Sequence, residues 1–191
     1  MKTIRTLAVG LLAVTALAAI AAPSGEKLPA AKSLLAKAQD QAKTEHKNVL
    51  LIFHASWCGW CHKLDDMLKS PEVGGLVEKG LVVTHVDVME QPAKKDLENG
   101  GGNEMMKQYT GGVEAGLPFF LIMTPSGKVL GNSLAPKTGN IGYPAEPAEV
   151  AHFMGMLNKG APNLNADDKV KIEAYLHEAA AKIKAASNGG H

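Results

Sequence analysis

Residues 50–64 read LLIFHASWCGWCHKL, and this stretch holds the only two cysteines of the 191-residue chain. The cysteines stand at a junction. Upstream, residues 48–55 form an apolar run that fits a buried strand. Downstream, Leu64, Met67 and Leu68 fall on one face of a helix spanning 59–69. Read as Cys58-x-x-Cys61, the pair is a redox dithiol. Read as Cys58-x-x-Cys61-His62, it is a haem attachment site with His62 as an iron ligand.

Outward from the junction, helices and strands alternate. Residues 29–45 carry Leu34, Leu35 and Ala38 at helical spacing, and "LVVTHVDV" (81–88) reads as a second strand. Ser70-Pro71-Glu72 has the form of an N-cap with proline at the first helical position, predicting a short helix to about Lys79. Residues 93–99 suggest a helical turn, and 103–109 another short helix after the breaker "NGGG". "PFFLIM" (118–123) and "KVLG" (128–131) flank a Thr124–Gly127 turn and predict a hairpin. A Gly/Pro/Asn-rich loop then runs to about Pro144. Residues 147–158 predict a helix, and Asn165 caps a last one through about Ala186, with Ile172, Leu176, Ala179 and Ile183 in one stripe. The fold class expected is α/β, a mixed sheet of about four strands covered by helices, with extra N- and C-terminal helices.

The start of the chain is expected to lie outside this fold. Lys2 and Arg5 precede an apolar run from Leu7 to Ala22, and Ala19-Ile20-Ala21 fits a small-residue cleavage site, so residues 1–21 read as a signal peptide. The expected organisation is then a domain over 22–162, an appended helix over 163–186 and a disordered tail over 187–191. The full chain has 20 basic and 19 acidic residues, and the leader takes two of the basic ones, leaving a net charge of −1. Nothing remains to drive binding to a phosphate backbone, so nucleic acid is not an expected partner. Export implies an oxidising compartment, secreted or periplasmic. A bridge between residues only three apart closes too small a loop to stabilise much through chain entropy, so reactivity explains the pair better than architecture.

A dithiol enzyme needs one acidic, accessible thiol and a second one behind it to resolve the mixed disulfide. A strand end feeding a helix supplies both. The first cysteine meets the unpaired N–H groups of the helix N-terminus, and the second lies one turn on. Cys58 and Cys61 are placed in that way. A surface for an extended polypeptide is also required, and Leu117-Pro118 is the candidate, with a cis proline leaving the backbone of residue 117 free.

Together, "LLIFHASWCGWCHKL" and the later "GLPFFLIM" resemble the thioredoxin superfamily over roughly residues 30–158, most of all its exported members with a W-C-x-x-C motif. The resemblance implies a central mixed sheet, a nucleophilic Cys58, a resolving Cys61 and a cis Pro118 facing the pair. It implies protein thiols and disulfides as partners, no cofactor beyond the Cys58–Cys61 disulfide, and no metal. A reducing role would also require a membrane electron-transfer partner. Two departures stand out. Where thioredoxins carry a buried aspartate this chain has Ile52, and the residue before the second cysteine is Trp60 instead of proline. Trp57, Gly59, Trp60, His54 and His62 are the supporting candidates. His54 is one that, as a neutral imidazole near Cys61, would take its proton; His62 is one that would acidify the thiols when protonated. His85 is a weaker candidate.

Three rivals accompany the exported thiol–disulfide oxidoreductase. A c-type haem protein would use Cys58, Cys61 and His62, with Met105, Met106 or Met123 as second ligand, but strands have no role in such a fold. A zinc site from the two thiolates and His62 is poor geometry, because adjacent helical side chains diverge. A non-catalytic client-binding module would keep its affinity in a Cys58→Ser variant.

Overall fold

A computed structural model of the protein describes residues 28–136 and 138–188. The expected signal peptide and the last three residues of the expected tail lie outside the described residues.

Helix α1 (Ala31–Thr44) buries Ala31, Leu35, Ala38 and Ala42, a single stripe at spacings of four, three and four. Strand β1 (Asn48–His54) is buried at five consecutive positions, as a central strand covered on both faces must be. Helix α2 (Gly59–Leu68) follows, then α3 (Gly74–Gly80), β2 (Leu81–Asp87), a 3-10 turn (Pro92–Leu97) and α4 (Gly102–Tyr109). Strands β3 (Phe119–Met123) and β4 (Val129–Asn132) form the expected hairpin. After a two-residue pair, β5 (Leu134–Ala135) with β6 (Gly139–Asn140), come α5 (Pro147–Gly160) and α6 (Ala166–Asn188).

The sheet order is β2-β1-β3-β4. Strand β1 runs parallel to β2 and antiparallel to β3, so the four-stranded sheet is mixed. Its faces pack two separate cores. Leu50 and Ile52 of β1, with Phe120 and Ile122 of β3, meet Leu64 and Met67 of α2, Phe153 and Leu157 of α5, and Ile172 and Leu176 of α6. Val49, Leu51 and Phe53 meet α1 and Met106 of α4 on the other face. Phe120 and Phe153 lie edge to face with ring centroids 5.8 Å apart.

Several boundaries differ from the sequence expectation. The helix expected at Ser70-Pro71-Glu72 opens at Gly74. Ser70 caps a turn there, its Oγ accepting from the Val73 N–H at 3.2 Å, and Gly74 lies so close to the Leu68 carbonyl that a Cβ would overlap it. Strand β3 starts at Phe119, because Pro118 follows a cis peptide bond and has no N–H to give a ladder. The loop after β4 contains the β5–β6 pair, which ends with the Ser133 hydroxyl donating to Asn140 Oδ1 at 2.6 Å. Helix α5 begins with a reciprocal capping box between Glu146 and Glu149, with Pro147 inside it. Helix α6 continues to Asn188, two residues past its expected end.

Candidate active site

The site is built where β1 leaves the sheet. Three residues after His54, the chain turns, with the Cys58 N–H donating to the Ala55 carbonyl at 3.1 Å. Cys58 is then the N-cap of α2. Its backbone is extended, and its Sγ accepts from the Cys61 N–H at 3.1 Å. The two sulfurs are joined as a disulfide, with the Cα atoms 5.2 Å apart. Cys58 is 4% exposed and Cys61 1%, so both residues are buried when joined as the disulfide.

Glu90 holds the turn in place, although nothing local in the sequence marked it. It is 3% exposed, and its carboxylate accepts both from the Ser56 N–H and, at 2.9 Å, from the Ser56 hydroxyl. Trp57, half exposed, donates its indole N–H to the Met89 carbonyl at 2.8 Å. Trp60, also half exposed, stacks on Tyr143 at 6.4 Å with the planes 12° apart. Gly59 has no atom within 4 Å of where a Cβ would lie, so packing does not demand glycine there. His62 turns back, its Nε2 3.0 Å from the Ser56 carbonyl oxygen.

The Leu117–Pro118 bond is cis. Leu117 packs against Ala55, Cys58 and Cys61. Asn140, also unforeseen, donates its side-chain amide to the carbonyls of Gly116 at 2.7 Å and Pro118 at 3.0 Å. The residues on either side of Leu117 are thus tied down. Two hollows flank this segment. One, of about 710 Å³, is lined by Met89, Met106, Val113 and Ala115. The other, of about 460 Å³, is lined by Trp60, Tyr143, Glu114 and Leu117.

His54 and His85 lie on the sheet face that α2 covers, and both meet Asp65 of that helix. His54 Nε2 is 3.0 Å from Asp87 Oδ1, and its Nδ1 is 3.9 Å from Asp65 Oδ2. His85 Nε2 is 3.0 Å from Asp65 Oδ1, and the two rings are 4.8 Å apart. Burial opposes the charged form of His54, but the Asp87 hydrogen bond and the charges of Asp87, Asp65 and Glu90 outweigh it and raise its pKa. Burial, and then the charge of His54, lower that of His85. Both ring nitrogens of His54 face carboxylates, and these carboxylates favour the cation.

The haem alternative does not fit these positions. The sulfurs are bonded to each other, His62 is engaged with Ser56, and Met123 is wholly buried in the sheet. Among the described residues no group of three or more His, Cys, Asp or Glu side chains is arranged to hold a metal ion. No helix among them is long and apolar enough to cross a membrane.

A mixed sheet that delivers a cysteine pair to a helix N-terminus, opposite a cis proline, defines a class of proteins with the thioredoxin-like fold. The chain belongs to the thioredoxin-like family, whose model matches residues 30–125. No curated protein matches it. Among solved structures it is similar to a disulphide isomerase from Xylella fastidiosa Temecula1, with 23% identity over 84% of this chain and 98% of that one and a TM-score of 0.46. It is also similar to a DsbH oxidoreductase, with 27% identity over 64% of this chain and 81% of that one and a TM-score of 0.43. A third is the oxidised C-terminal domain of DsbD from Neisseria meningitidis, with 25% identity over 55% of this chain and 84% of that one and a TM-score of 0.40.

Proposed function

We propose that the protein is an exported thiol–disulfide oxidoreductase that exchanges disulfides with protein substrates. The observation that carries this reading is Cys58 Sγ at the N-cap of α2, accepting the Cys61 N–H and bonded to the Cys61 sulfur. That position stabilises a thiolate through the helix N-terminus and holds the second sulfur within bonding reach.

In the reducing direction, the Cys58 thiolate attacks one sulfur of a substrate disulfide, and the other leaves as a thiolate that takes up a proton. The Cys61 thiol loses its proton and attacks Cys58 Sγ, so the Cys58–Cys61 bond forms and the substrate leaves as a dithiol. In the oxidising direction each step runs backwards. Two electrons pass between the pairs and no further reactant is needed. Leu117 and Pro118 line the approach to Cys58, and the Leu117 backbone offers a substrate strand its N–H and carbonyl. Trp57, Gly59 and Trp60 form the rim. The basic then apolar segment 1–21 supports export, and a membrane electron donor would serve the reducing direction.

A Cys61→Ser variant tests the reading. It is expected to accumulate a mixed disulfide with a disulfide-bonded peptide, released by dithiothreitol, while Cys58→Ser forms none. No adduct with Cys61→Ser would overturn it. The potential of the pair then assigns the direction, about −270 mV marking a reductase and about −120 mV an oxidant.

A further inference from the structure

Polar groups are out of place on the sheet face that α2 covers, unless they have a task. Along β1 that face carries Leu50, Ile52 and His54, and along β2 Val83, His85 and Asp87. The parallel register sets Ile52 opposite His85 and His54 opposite Asp87. Asp65 comes from α2, one turn beyond Cys61 on the same side of the helix. It lies in the last turn, where the helix dipole disfavours a carboxylate and where α2 has no basic residue to offset it. Its partners are the two histidines.

The backbone of β1 joins this cluster to the sulfurs. Ala55, the residue after His54, packs directly on Cys58 and Cys61. We propose that His54 is a positioning residue for the Cys58–Cys61 pair: four residues before Cys58 and clamped between Asp87 and Asp65, it keeps a positive charge at the end of β1 and favours the thiolate state of the reduced pair. The inference rests on the oxidoreductase reading and deepens it. His85 takes the complementary part, staying neutral and fixing Asp65. The opposite directions in which the two rings are shifted fit a charged His54 beside a neutral His85. The titratable groups facing His54 are Asp87 and His85 from β2, Asp65 from α2 and Glu90 from the loop after β2. Lys63 and Asp66 of α2 line a different hollow, with Tyr143. Ile52, two residues earlier on the same face, is buried and apolar, so on this face β1 carries a titratable group only at its end.

The test is the redox equilibrium of the full chain with glutathione, read by thiol alkylation from about pH 5.5 to about pH 8.5. In His54→Gln, which keeps a hydrogen-bonding side chain but cannot carry charge, the equilibrium constant for reduction is expected to fall about three- to tenfold near neutrality. Tenfold corresponds to about 30 mV for this two-electron couple. The alkylation rate of Cys58 is expected to fall with it. The difference closes at high pH, where His54 is itself neutral, and at low pH, where both thiols are protonated. Asp87→Asn, which removes the partner of the cation and leaves His54 in place, is expected to move this window to lower pH. A folded His54→Gln within about twofold of wild type at every pH, or lower by the same factor at every pH, would overturn the inference. So would an unmoved window in Asp87→Asn. A wild-type pair that does not equilibrate with glutathione would overturn the oxidoreductase reading beneath it as well.

Discussion

The turn that presents Cys58 hangs on one carboxylate, and removing it should show how much. Glu90 is 3% exposed and accepts two hydrogen bonds from Ser56, one from the backbone N–H and one from the hydroxyl. A hydrogen bond to a charged group contributes about 1.5–3 kcal/mol. Glu90→Ala removes both bonds and leaves the Ser56 N–H without its acceptor, so a loss of about 3–5 kcal/mol is expected, a large part of the roughly 5–15 kcal/mol that holds such a domain together. Glu90→Gln keeps one oxygen for the N–H, and its amide can donate to the Ser56 oxygen, so only the charge is lost, for about 1 kcal/mol. Ser56→Ala removes one of the two bonds, at about 1–2 kcal/mol, and in a Glu90→Ala background it should be nearly silent. Urea unfolding followed by tryptophan fluorescence reads all of these, since Trp57 and Trp60 both flank the site. A Glu90→Ala midpoint within about 1 kcal/mol of wild type would refute the reasoning. So would a Glu90→Gln as damaging as Glu90→Ala, because the charge, and not the paired geometry, would then carry the effect.

Gly160→Ala would place a Cβ 2.5 Å from Ile122 Cγ2, and overpacking of this kind destabilises by about 1–3 kcal/mol. Gly155→Ala, in the same helix with no atom within 4 Å of the new Cβ, should instead raise the urea midpoint, by up to about 1 kcal/mol. In an alkaline titration followed by phenolate absorbance, Tyr143 should ionise late, because burial, aided by Tyr175 and Asp66, pushes it up to about 12; Tyr143→Phe should delete that phase. Stability should peak between the two histidine effects. The His54 contribution is complete below the unfolded value of about 6.5 and is lost as pH rises through its raised folded value. The His85 contribution is complete above about 6.5 and is lost as pH falls toward its lowered one. Urea midpoints across this range should show that maximum, and His54→Gln should flatten its alkaline side.

The junction at Cys58 was legible because both its sides are local patterns. A central strand shows an unbroken apolar run, and a helix shows its face within ten residues. Leu117-Pro118 was legible as a proline at the start of a strand and through resemblance, and Leu117 packs against the cysteines. Glu90 was not, because its partner lies 34 residues away. The meeting of His54 with Asp87 depends on the register of β1 against β2. A slip of one residue would bring Val86 or Val88 there, and no local signal fixes that choice. At Ser70 the cap pattern was real, but it serves a turn, since the approach of Gly74 to the Leu68 carbonyl delays the helix. Asn140 acts from a two-residue strand too short to leave a periodicity.

The match to the family ends at residue 125, but the core that covers Leu50 and Ile52 does not. Val150, Phe153, Leu157, Ile172 and Leu176 close that face, the last two from α6. A chain emerging during synthesis therefore has its redox motif and three of its sheet strands in hand while one side of the sheet is still open. At about 5–20 residues per second, the interval until Leu176 arrives is roughly 3–10 s. Through that interval two unprotected thiols stand beside an uncovered apolar surface. Until α6 docks, the face of the sheet that carries Leu50 and Ile52 stays open, so the last helix completes a core that the redox motif began.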